Sequence, residues 1–378
     1  MADSATGRLA SKMTLAIPAA RSENKLLGLE ILRFITAFAI LVWHYQHFSF
    51  VGEEATGFVR NQQPLYGLFR PFFDYGLNGV QVFWCISGFI FFHKYRDSLA
   101  ERRVDGRSFF VLRFSRLYPL HLFTLLVVAG LQVLYVGSHG FSFVYGNNDL
   151  KHFVLQLFLG SYWGLQNGLS FNGPIWSISM EVLVYFVFYA CLRLFGRTNL
   201  VNLAMIGLFL LAKSRGSESA LVNGVGFFYA GGLAAIFRGR FAGHRAWPWI
   251  QIAVLTCLSC AISAAAGLDV LSDSEKTNSA LFVLTPLVLV LAAGHLPAPP
   301  AVARVIEGFG NLTYASYLLH FPLQLAAILG FSALGLAVPF YSSSLFVVYL
   351  VVVLALSWVA FRFFEKPAQN AIRRAWLA

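Results

Sequence analysis

Arg33 and His44 lie eleven residues apart on an apolar stretch, Leu26 to Phe50, that carries no acidic or other basic side chain after Glu30 apart from His47. At 3.6 residues per turn this spacing is about three turns plus ~20°, so both side chains share one helix face, about 16 Å apart along the axis. Ionisable groups inside a bilayer-length helix are costly and therefore usually mark function. A guanidinium stays charged and offers paired donors to phosphate, whereas an imidazole can take up and return a proton near neutral pH. The plain structural alternatives are an Arg33 that snorkels to the headgroups and a His44 that is simply hydrogen-bonded inside a bundle. An aligned pair at two depths favours chemistry. His47, one turn further out, is expected at the interface. Glu181 and His320 stand in two further apolar stretches and pose the same question. A buried carboxylate needs a partner, either the catalytic imidazole or, for stability alone, Arg33.

The elements that must position these groups are membrane helices. The chain has 378 residues, 58% of them hydrophobic and 12% charged, with a mean hydropathy of +0.66. A soluble domain carries about 25% charge, and a transmembrane helix needs about 20 mostly apolar residues. Such windows fall at 27–49, 76–95, 117–137, 174–195, 199–213, 221–237, 247–267, 278–296, 310–331 and 342–363. The expectation is an all-α polytopic bundle of about 10 transmembrane helices with both termini cytoplasmic. In that arrangement 21 of the 28 Lys and Arg lie in inner segments and six in outer loops, with Arg33 in the membrane, as the positive-inside rule requires. The net charge of +11 therefore reports topology; basic residues scattered over short loops are no nucleic-acid surface. The stretch from Val154 to Trp163 is too short to cross and reads as an interfacial or re-entrant piece.

Residues 1–25 are expected to form an uncleaved cytoplasmic tail, because the apolar run Met13 to Ala20 is broken by Pro18. Residues 368–378 are expected to form a second cytoplasmic tail. Cys257 and Cys260 have metal-like spacing but stand in an apolar helix without other ligands, so packing is the simpler role. No metal is expected, since the histidines lack clustered cysteine or carboxylate partners. Asn311-Leu-Thr313 fits a glycosylation sequon, yet falls at a membrane boundary on the inner side.

Six segments in order resemble one family, the membrane-bound acyltransferase 3 family. They are the Arg33/His44 pair, the glycine-rich run Gly76 to Phe89 with Ser87-Gly88-Phe89, and Arg113-Phe-Ser-Arg116. Trp176-Ser-Ile-Ser-Met-Glu181, Tyr317-Leu-Leu-His320-Phe-Pro322 and Phe364-Glu365-Lys366-Pro367 follow. The resemblance covers 26–367 and implies an integral cell-membrane O-acyltransferase of the bacterial inner membrane. The implied reaction moves an acyl group, acetyl being the expected one, from cytosolic acyl-CoA to a hydroxyl of a cell-surface or exported glycan. His44 would be the base or an acyl relay, with Glu181 as its partner. Arg113 and Arg116 at the inner mouth would hold CoA phosphates, with Arg33 deeper along the pantetheine arm. His320, Tyr317, Trp176 and Ser87 would contact substrate. The small residues Gly76, Gly79, Ser87 and Gly88 make room beside the first span. Many relatives carry an added hydrolase-like domain after the last span; with none in this sequence, transfer is expected to finish within the membrane module or with a separate partner. Two readings stay open beside this one: a transporter or flippase of lipid-linked glycan whose path these residues line, and acyl transfer to a small hydroxylated metabolite.

Overall fold

The computed structural model describes residues 26–267, 274–294 and 296–377. The expectation for residues 1–25 lies outside them. The described chain is helical apart from one short hairpin, Phe50–Val51 against Glu54–Ala55. Each of the ten apolar windows coincides with a helix. They are α1 (Leu27–His44), α3 (Gly79–Ala100), α4 (Gly106–His139), α6 (Ile175–Phe195) and α7 (Asn199–Ser214). After these come α8 (Ala220–Phe241), α9 (Trp247–Gly267), α10 (Ser274–Ala292), α11 (Pro300–Ala333) and α12 (Ser343–Ala360). The shorter α2 (Tyr66–Tyr75), α5 (Leu150–Leu157) and α13 (Lys366–Leu377) lie between or after them. Among the described residues seven helices are long and apolar enough to cross a membrane, while α7, α9 and α10 offer shorter apolar lengths.

Turn chemistry sets the ends of the long helices. Asp105 caps α4 by accepting from the Ser108 N–H at 2.6 Å, a bond that holds its carboxyl below the usual carboxylate range. Gly140, at φ +82°, stops α4 in a conformation that strains any side-chain-bearing residue. Residues 366–377, mostly expected as a tail, instead form α13, which packs on α4 through Arg373 on Ser115 at 3.1 Å and Trp376 stacked on Phe114.

Glycines let the backbones meet. A Cβ at Gly88 would run into the carbonyl oxygen of Phe228, and one at Gly231 into that of Cys85, so α3 and α8 cross in backbone contact. Gly76 does the same against the Ala39 carbonyl of α1, and Gly79 makes space for the Ile40 side chain, the room expected beside the first span. Because the obstacle at Gly88 is backbone, Gly88→Ala should lower stability by about 3 kcal/mol, the upper part of the overpacking range. Gly207→Ala, which meets nothing within 4 Å, is the control. Thermal unfolding in detergent measures both, and equal midpoints would contradict the crossing.

α1 and α11 run side by side in register. Glu30 abuts Gly310, Arg33 bonds Thr313, and the His44 carbonyl accepts from Gln324, each pair 280 residues apart. A constant offset means that the two helices are parallel. Parallel spans require an odd number of crossings between them, and the four long helices between α1 and α11 give an even one. If the seven long helices all cross, parity requires that an odd number of α7, α9 and α10 cross with them.

Candidate active site

Arg33, Ser87, Arg113, Arg116, Glu181 and Tyr317 line one cavity of about 120 Å³, together with Trp84, Tyr185, Thr313 and Tyr314. The positions come from five helices: α1 supplies Arg33, α3 Ser87, α4 the pair Arg113 and Arg116, α6 Glu181, and α11 Tyr317. Three guanidinium groups against one carboxylate make the wall cationic.

Each charge is held differently. Arg33 donates through Nη1 to Glu30 at 2.8 Å and through Nη2 to Thr313 Oγ1 at 3.1 Å, so its fork is fixed across two helices. Thr313, hidden in the apparent sequon, is thus a partner of Arg33. Arg113 donates to the Tyr95 hydroxyl at 2.6 Å and lies over the Phe91 and Tyr95 rings, 5.0 and 5.1 Å from their centroids. Its Nε is buried without a partner among the described residues. Arg116 lines the cavity without a hydrogen bond among the described residues, and its charge acts on the buried carboxylate of Glu365.

Glu181 accepts from the Ser87 hydroxyl and from Tyr185 at 2.5 Å. The expected pairing with His44 is therefore absent among the described residues. α6 turns this carboxylate into the cavity beside α3, whereas the imidazole lies further along α1, beyond Tyr317. The alternative pairing with Arg33 is likewise replaced, because Glu30 sits one turn from that guanidinium on the same helix.

His44 belongs to a second, adjoining cluster. Its Nδ1 is 3.3 Å from His47 Nε2, and its ring centroid is 4.7 Å from that of His320. His47 Nδ1 in turn faces Gln324 Oε1 at 3.3 Å, while Gln324 Nε2 donates to the His44 carbonyl at 2.8 Å. The cluster meets the cavity at Tyr317, whose ring centroid is 5.8 Å from that of His320. His47 is buried among protein side chains. Residues Tyr45–Ser49 continue α1 as a 3₁₀ turn, and three residues per turn bring His47 directly over His44. His320 Nδ1 faces the Ser316 carbonyl at 3.3 Å, and its Nε2 is buried without a partner among the described residues.

The loop before α6 is pinned against this site. Pro322 has no N–H for the Leu318 carbonyl, and Asn172 Nδ2 supplies the missing donor at 3.1 Å. Tyr317 binds the start of α6 at the Pro174 carbonyl and Ser177 Oγ, both 2.8 Å away. Trp176 lies off the cavity wall, against Trp84 and Tyr162 at 5.8 and 5.4 Å. The indole of Trp163 donates to the Ser179 carbonyl at 3.0 Å, so the stretch from Val154 folds back onto the bundle. α5, which leads into that stretch, has eight residues, too few to cross. Cys257 and Cys260 are exposed on α9 rather than packed, so their spacing reflects one outward helix face. Among the described residues no set of three or more His, Cys, Asp and Glu is arranged to hold a metal ion.

A bundle of apolar helices around a largely apolar cavity that holds a few charged groups is the architecture of an integral membrane protein with a reaction or transport centre. The sequence pattern of the acyltransferase domain family matches residues 26–362, nearly the whole chain, and the protein belongs to that family, acyltransferase 3. It is a membrane acyltransferase. No curated protein and no solved structure matches the chain.

Proposed function

We propose that the protein moves an acyl group, acetyl by expectation, from cytosolic acyl-CoA to a hydroxyl of a cell-surface or exported glycan. One observation carries this reading: three arginines and Glu181 surround a single cavity whose wall, at Tyr317, adjoins the His320 and His44 rings. Arg116 and Arg113 take the CoA phosphates, and Arg33 takes the pantetheine arm. The acceptor oxygen attacks the thioester carbonyl carbon while His44 Nε2 accepts the hydroxyl proton. The carbon–sulfur bond then breaks, and the imidazolium returns that proton to the departing CoA sulfur. Glu181, bonded to Ser87 and Tyr185, acts on the donor side as a fixed acceptor beside the arginines.

The same reading takes ten crossings with both termini cytosolic, in the bacterial inner membrane. It is supported by the parallel register of α1 and α11 and by the excess of Lys and Arg in the inner segments. Proteoliposomes loaded inside with acyl-labelled acetyl-CoA test the function. Label on an outer glycan acceptor, with CoA released, is the expected result. Substrate movement without thioester cleavage would replace the enzyme with a transporter, and label on small hydroxylated metabolites alone would replace the acceptor class.

A further inference from the structure

The amide of Gln324 stands at the end of a short hydrogen-bond chain whose direction is fixed by chemistry. A carbonyl only accepts, so the atom 2.8 Å from the His44 carbonyl must be the Gln324 nitrogen, and the Oε1 atom must face His47. An amide oxygen also only accepts, so His47 Nδ1, 3.3 Å from it, carries a hydrogen. Among the described residues no carboxylate is hydrogen-bonded or ion-paired to His44, His47 or His320, and a charged ring buried there would lack a counter-ion. With His47 neutral, its Nε2 is an acceptor. The hydrogen between the rings then sits on His44 Nδ1, 3.3 Å away. His44 Nε2 is left as a bare lone pair.

We infer that Gln324 is a positioning residue that acts through His47 to hold His44 in the tautomer able to accept a proton at Nε2. The inference rests on the proposed acyl transfer. Gln324 bonds the backbone of α1 with one end of its amide and the second histidine with the other, so a single side chain sets both the place and the protonation of the base. It touches neither donor nor acceptor. A histidine in the opposite tautomer would present a hydrogen to the attacking hydroxyl and could not serve as base.

Nitrogen-15 spectra of histidine-labelled protein in nanodiscs test the chain without any turnover, with the His44 signals identified by their loss in His44→Ala. The expected spectrum has His44 protonated at Nδ1 and bare at Nε2; protonation at Nε2 in the wild-type protein would overturn the inference whatever the activity. Gln324→Met keeps the volume but removes both bonds. It should mix the two tautomers and lower kcat about 100-fold, the scale of a lost general base, with KM for acetyl-CoA unchanged. Gln324→Glu, which retains an oxygen acceptor for His47, should recover part of that loss. Wild-type kcat in Gln324→Met, or a loss confined to KM, would overturn the inference. Normal turnover in His44→Ala would remove the proposed mechanism instead, while the tautomer result would still stand or fall by itself.

Discussion

His44→Ala should lose acyl transfer by about 100- to 10,000-fold, the contribution of a positioned proton acceptor. The fold should survive, because the α1–α11 bond at this level uses the His44 main-chain carbonyl, which alanine retains. The contact to His47 and the ring packing against His320 and Trp43 disappear. Donor binding should also be kept, since the cationic cavity lies on the far side of Tyr317. Turnover and acetyl-CoA binding measured on the purified variant separate these effects. Transfer at the wild-type rate would remove the imidazole from the reaction.

Arg33→Lys comes second in expected effect, although it conserves charge. The native fork reaches Glu30 with one nitrogen and Thr313 with the other, which leaves the delocalised charge against the cavity. A single ammonium cannot keep both bonds and face the donor as well. KM for acetyl-CoA should rise about tenfold, corresponding to about 1.4 kcal/mol, with a smaller fall in kcat. An unchanged KM would contradict the placement of Arg33 on the donor. Thr313→Val supplies a milder comparison, because it removes one ligand of the fork and leaves the guanidinium in place.

Much of this was legible in the sequence, and the reason is physical. Apolar runs of membrane length have few alternatives to helix, so all ten windows reappear as helices. Helical periodicity alone placed Arg33 and His44 on one face, and both turn towards α11. Small residues announced close helix approaches, and Gly76, Gly79 and Gly88 make them. Sequence also selected six residues that share the cavity wall.

Lateral partners were not legible. Which helix face meets which depends on bundle geometry, so the meeting of Glu181 with Ser87 across α3 was not read from its own segment. The contact of His47 with His44 and Gln324 was not read, because an α-helical projection ignores the 3₁₀ turn that brings it there. Gln324 stands four residues after His320, a spacing that marks a shared helix face. Nothing in the local sequence revealed that this face meets α1. The packing of Trp176 against Trp84 and Tyr162, off the cavity wall, was likewise not read.

The reach of the thioester from the arginines to the imidazole is the claim on which the chemistry depends. A structure of the protein in lipid with a non-hydrolysable acyl-CoA analogue measures it directly. The expected density runs from phosphates on Arg113 and Arg116, past Arg33, to an acyl carbonyl in contact with His44 Nε2. Donor density ending on the cytosolic side of Tyr317, with the imidazole still shielded, would contradict the account.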